Sequence, residues 1–136
     1  MFEVFDHTAD LGLRVEARNL DELFNEAARG LFAQLLHDPQ RVTAEHRCEF
    51  SLVATRCEYL LVDWLNELLY SFETQRMLFC QFDVQVSGTR LIGRAWGEPI
   101  DARRHPLASE VKGVTYHGLA VESCPQGWRA ELILDV

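Results

Sequence analysis

Apolar residues recur every third or fourth position from Leu20 to Leu36, with Leu20, Leu23, Phe24, Ala27, Ala28, Leu31, Phe32, Leu35 and Leu36 on one stripe. That spacing predicts an amphipathic helix buried along one side. Asn19 and Glu22 stand at capping-box separation at its start, and Pro39 punctuates its far end. A second helix is predicted from about Cys57 to Phe72, with Leu60, Leu61, Trp64, Leu65, Leu68, Leu69 and Phe72 on one side and Thr55 and Glu58 repeating the cap signal. Elsewhere the period falls to two. Cys48, Phe50, Leu52 and Ala54 alternate with Arg47, Glu49, Ser51 and Val53, and Cys80, Phe82, Val84 and Val86 repeat the pattern before Ser87-Gly88-Thr89 and a predicted hairpin partner over Leu91 to Trp96. Two further strands cover about Val111 to Val121, and the last runs from Trp128 to Asp135 after the turn Pro125-Gln126-Gly127. Two long helices among alternating strands with hairpin-length links predict an α+β fold, a mostly antiparallel β-sheet with the two main helices packed on one face. Glu98 to Glu110, with Pro99 and Pro106, reads as the most loop-like and mobile stretch.

A chain of 136 residues suffices for one domain over residues 1–136 with a core of its own. It has no apolar run approaching the roughly 18 residues of a membrane span and no basic-then-apolar leader, so the expected location is cytoplasmic. Cys48, Cys57, Cys80 and Cys124 lie far apart with no C-x-x-C pair, and buried thiols are expected rather than zinc ligands or disulfides. The formal net charge is −8, and the one local basic cluster is Arg103-Arg104-His105. Gripping a phosphate backbone needs clustered cations, so autonomous nucleic-acid binding is not expected. Phosphate-binding glycine loops, a nucleophile elbow and the H-E-x-x-H zinc motif are all missing.

Three stretches carry candidate chemistry. Asp6, His7 and Asp10 lie in "FDHTADLGL", where a strand becomes a turn before Gly12, and suit either turn capping or metal binding. In the tail "ELILDV", Leu132 and Leu134 face one way and Glu131, Ile133 and Asp135 the other. Were that strand to pair near the first, Asp135 and the terminal carboxylate of Val136 would bring hard oxygens beside Asp10, and a divalent cation would relieve their repulsion. Oxygen-only ligation favours Ca²⁺ or Mg²⁺ over zinc. The plain alternative is a solvated, frayed end. In "VKGVTYHGLAV", strand geometry sets Val111, Gly113, Thr115 and His117 on one face and Lys112, the single lysine, with Val114 and Tyr116 on the other. Thr115 and His117 then form a polar pair or a satisfied histidine beside a threonine. Trp64 and Trp128 belong to core patterns, whereas Trp96 sits best for a partner surface.

Taken together, "FDHTADLGL", "VKGVTYHGLAV", "GWRAELILDV" and the helix start "LDELFNEAARGL" resemble the archease family over essentially the whole chain. The resemblance implies a non-catalytic accessory protein that activates an RtcB-type RNA-splicing ligase, promoting guanylylation of its active-site histidine and multiple turnover in tRNA splicing or RNA repair. RNA would then be met only through the ligase. It also implies a divalent metal, usually assigned as calcium, on Asp10, Asp135 and Val136, with Asp6, His7, Lys112, Thr115 and His117 in matching segments as second-layer or partner contacts. Asp6 stands where Glu is frequent in that family. Two competing readings are a metal-dependent hydrolase using the same carboxylates with His117 or His7 as base, and a chaperone-like interaction module.

Overall fold

A computed structural model describes residues 1–7 and 10–136, with Thr8, Ala9 and the side chain of His7 outside the description. The elements run β1 (Phe2–His7), β2 (Asp10–Ala17), α1 (Leu20–Leu35), a 3₁₀ turn (Pro39–Arg41), β3 (His46–Val53), α2 (Cys57–Gln75), β4 (Met77–Ser87), β5 (Arg90–Pro99), β6 (Gly113–Cys124) and β7 (Gly127–Asp135). All strand pairs are antiparallel, as alternation and short links demand. They divide between two sheets, one ordered β1-β2-β7-β6 and one ordered β3-β5-β4. The last strand is therefore interior to the larger sheet, bonded to β2 on one side and β6 on the other.

Each helix does what its stripe requires. Leu23, Phe24, Ala27, Ala28, Leu31, Phe32 and Leu35 of α1 are buried, and so are Leu60, Leu61, Trp64, Leu65, Leu68, Leu69 and Phe72 of α2. Trp64 joins the two, donating its indole N–H to the Phe24 carbonyl at 3.2 Å while its ring meets Phe50 edge to face at 5.3 Å. Burial of a ring that size with its polar group satisfied is worth several kcal/mol. The α1 cap is as predicted, with Asn19 Oδ1 accepting from the Glu22 N–H at 2.9 Å. At α2 the expected Thr55 cap is replaced by Arg56, whose side chain makes no capping hydrogen bond.

Three further expectations change. The stretch Glu98 to Glu110 is not a free loop but a tethered strap. Its backbone donates from Ile100 to the Arg76 carbonyl at 2.7 Å and from Ala108 to the Leu35 carbonyl at 2.8 Å, and it accepts from His37 at Pro106. The four cysteines are free thiols, as expected, but half-buried. Burial pushes the Cys48, Cys57 and Cys80 thiols up, away from the thiolate form that would bind metal. Finally, the hairpin pairing is not continuous: the β4–β5 register shifts between Phe79 and Gln81 and skips Cys80, whose side chain nevertheless keeps the inward, half-buried place that the alternation predicts. Among the described residues, no helix is long and apolar enough to cross a membrane.

Candidate functional site

The larger sheet sets one register that decides the site. Leu11 pairs with Leu134, so the next positions outward, Asp10 and Asp135, stand on neighbouring strands at the same level. His7 pairs with Asp10 on one side, and Gly113 pairs with Asp135 on the other. At this edge of the sheet, residues from both ends of the sequence thus meet in one row. Strand parity places Asp10 and Asp135 on the same face as Gly12, Ile133 and Thr115, and opposite partners of this kind have Cα atoms about 4.5–5.5 Å apart. Asp10 is half-buried, Asp135 is exposed and Val136 is 37% exposed.

The remaining candidates lie around that row. Lys112 is exposed, and its backbone N–H donates to the Asp135 carbonyl at 2.7 Å, fixing the end of β7. The Thr115 hydroxyl accepts from the His117 N–H at 3.0 Å, so this pair is joined through backbone and not ring to hydroxyl. His117 itself is exposed. Asp6 pairs with Leu11 and by parity lies on the opposite face from Asp10. The ring of His7, with Thr8 and Ala9, falls outside the described residues. Among the described residues no group of three or more His, Cys, Asp and Glu gathers closely enough to hold an ion. Among the described residues, two aspartates and the oxygens of Val136 are the hard donors nearest the tip.

The floor beside the row is built rigidly. Phe5 lies over Gly12, where a Cβ would collide with its ring, and Ile133 is buried between Gly12 and Thr115 in the pairing. Arg14 covers the Phe5 ring at 4.8 Å and bonds Glu131 at 2.7 Å and Glu3, so hydrogen bonds to these two carboxylates raise its already high pKa. Glycine at 12 is what lets an aromatic ring from the edge strand cross to the sheet interior.

On the other side, β6 is held by a side chain that the sequence did not advertise. Asn66 of α2 accepts from the Val114 N–H at 2.9 Å and donates to the Val114 carbonyl at 3.0 Å, standing in for a missing neighbouring strand. Its one visible signal is an amide within the apolar stretch Trp64 to Leu69. Replacing it with Leu leaves two backbone groups unpaired, at about 1–3 kcal/mol each. The expected result for Asn66→Leu is a urea midpoint shift equivalent to about 2–6 kcal/mol with an unchanged slope.

Beyond Thr115 the β6–β7 register breaks until Ala120, so the segment 116–119 bulges from the edge with Gly118 at φ 67°. Such bulges re-aim side chains. Tyr116 turns to α2, donating its phenol to Asp63 Oδ1 at 2.7 Å. That bond and the desolvation beside it push the Tyr116 phenol up. Neither Asp63 nor Tyr59, which meets Tyr116 edge to face, stood out in the sequence. Trp96 is half-buried in the smaller sheet, paired with Arg47 and Gln81.

Known proteins resemble the chain along its whole length. Residues 2–136 match the model of the Archease protein family (MTH1598/TM1083). The chain belongs to the archease family. Among its archease relatives, the protein of Methanopyrus kandleri is 39% identical over 139 residues, covering 99% of both chains. That of Sulfurisphaera tokodaii is 34% identical over 137 residues, covering 99% of this chain and 98% of its own. In structure, Methanobacterium thermoautotrophicum protein 1598 superposes with a TM-score of 0.87 at 34% identity, covering 99% of this chain and 98% of the other. An archease from Thermotoga maritima, described as a possible chaperone, shares the fold at TM-score 0.67 and 18% identity, covering 100% and 98%. The archease fold is thus two helices with two antiparallel sheets, and the family's proteins are described as proteins without an enzyme name.

Proposed function

We propose that this archease is a non-catalytic activator of an RtcB-type RNA-splicing ligase, promoting the ligase's guanylylation and repeated turnover in tRNA splicing or RNA repair. Its working tip is the row carrying Asp10 and Asp135. The observation that carries the reading is the Leu11–Leu134 register, which sets carboxylates from the two ends of the sequence side by side. Unpaired, such like charges repel, and a hard divalent cation offsets that repulsion. Asp10, Asp135 and an oxygen of Val136 would hold it, with calcium the proposed ion because its flexible oxygen coordination tolerates a site assembled from two strand ends, water completing the shell. When bound, the ion would neutralise the tip and lock the end of β7 to β2.

The chain's own residues do the rest. The Lys112 backbone fixes β7 from the β6 side, and the segment running from exposed Lys112 through half-buried Thr115 to exposed His117 offers the partner a polar edge. A net charge of −8 speeds encounter with the basic cleft that an RNA ligase requires. The basic cluster noted in the sequence does not counter this, because Arg104 and His105 are turned onto Glu98. A chaperone-like role, the description given to the Thermotoga relative, differs mainly in the breadth of partners.

A multiple-turnover RNA ligation assay with an RtcB-type ligase tests the reading. The wild-type chain is expected to raise product beyond one equivalent per ligase, and Asp10→Ala to lose that stimulation with its circular dichroism unchanged. Stimulation equal to wild type would remove the tip from the mechanism. Phosphodiesterase turnover by the isolated chain, lost in Asp135→Ala, would favour the hydrolase instead.

A further inference from the structure

We infer that the cleft between the start of α2 and the bulge of β6 is a socket for an arginine side chain of a basic protein partner. The cleft is a shallow, open depression of about 470 Å³ lined by Ala54, Thr55, Tyr59, Asp63 and Tyr116. Its two tyrosine rings meet edge to face, with centroids 5.4 Å apart and planes at 84°. Tyr116 is 54% exposed, unusually open for so large a ring on a strand that elsewhere buries Val114. Its phenol fixes Asp63 through Oδ1 at 2.7 Å, and a carboxylate accepts up to about four hydrogen bonds, so one phenol leaves capacity for a further donor.

A fixed carboxylate beside aromatic rings suits one side chain above others. A guanidinium bonds a carboxylate with its planar fork while stacking on a ring, and it is less strongly hydrated than an ammonium. An anion would meet Asp63 with like charge, and a purely apolar group would desolvate it without recompense. The chain itself takes up half of this geometry: the Arg56 guanidinium lies 5.8 Å from the Tyr59 ring centroid, its charge paired with Glu58. The net charge of −8 selects a positively charged partner on the larger scale. Tyr116 shares its bulge with His117 and follows Thr115, on the strand whose first residue, Gly113, pairs with Asp135 of the tip. For the partner's identity the inference rests on the ligase reading; for its chemistry it rests on the socket alone.

The test is an NMR titration of the full chain with N-acetyl-arginine amide, with the lysine and aspartate amides as comparators. Ring signals of Tyr59 and Tyr116 are expected to shift saturably with the arginine compound, less with lysine and not with aspartate. The isosteric Asp63→Asn and the ring-deleting Tyr116→Ala are each expected to weaken binding at least about threefold, the size of one exposed ion-pair or cation–π contact, while keeping dispersed amide spectra. Absent ring shifts, equal response to lysine or aspartate, or unchanged affinity in both variants would overturn it. Because no ligase is present, this outcome is independent of the ligation assay: a silent assay with saturable arginine binding sinks the ligase and spares the socket, and the reverse result sinks only the socket.

Discussion

Glu98→Ala is expected to cost about 2–3 kcal/mol of folding stability, the upper range for losing hydrogen bonds to a charged group whose partners can return to water. Glu98 is only 4% exposed at the end of β5. Its carboxylate accepts from the Thr43 N–H at 2.6 Å, from the Thr43 hydroxyl at 2.9 Å and from both terminal nitrogens of Arg104 at 2.7 and 3.1 Å. Arg104 is 43% exposed and can rehydrate its charge. Thr43 is exposed as well, so the loss falls mainly on the charged hydrogen bonds themselves and on His105, whose ring is buried with Nδ1 accepting from the Asp101 N–H at 2.9 Å. That bond places the imidazole proton on Nε2, which faces Glu98 at 3.3 Å without hydrogen-bond geometry.

Acid should expose the same network. Desolvation alone would raise the Glu98 pKa, but the Thr43 donors and Arg104 outweigh it and hold the group at about 2 against an ordinary 4.5. A depressed carboxylate pKa contributes stability that is full above the unfolded value and lost as pH falls to the folded one. Wild-type urea stability is thus expected to drop between pH 4.5 and 2, and Glu98→Ala to lack that share of the drop. Parallel pH curves for the two proteins would contradict the network.

Gly97→Ala is expected to be the most damaging single-methyl change, at least about 3 kcal/mol or failure to fold. Gly97 pairs with His46 on one side and Phe79 on the other, at the point where the bulge at Cys80 presses β4 against β5. A Cβ there would collide with the Leu78 carbonyl oxygen, and backbone inside a three-stranded sheet cannot swing aside as a flexible side chain does. Gly88 is the control. Its φ is 62° but nothing lies within 4 Å of its would-be Cβ, so Gly88→Ala should cost only the left-handed backbone penalty of about 1–2 kcal/mol. Urea midpoints rank the two, and a Gly97→Ala chain as stable as Gly88→Ala would refute the contact.

Periodicity made the helices, the strands and the antiparallel character legible, because each buries one face and the spacing of apolar residues records which. The α1 cap was readable since Asn19 acts on a residue three positions away. Partner choice was less accessible: alternation shows that Phe50 and Phe82 point inward but not that β3 and β4 flank β5 in a sheet separate from β7. Asn66, Asp63 and Glu98 escaped notice for the same reason, since their partners lie 48, 53 and 55 residues away in sequence. The strap looked mobile by its prolines, yet its order comes from carbonyls at the ends of α1 and α2 that composition does not reveal. Asp10 and Asp135 were foreseeable as a pair only through an assumed pairing of the first and last strands.

Calorimetric titration of calcium into the wild-type chain, Asp10→Asn, Asp135→Asn and the double variant tests most directly whether the two ends of the sequence share one ion. The shared site predicts a single binding event in the wild type, lost in either single variant with circular dichroism retained, and no further loss in the double. Calcium binding that survives both single substitutions, or none in the wild type, would contradict it.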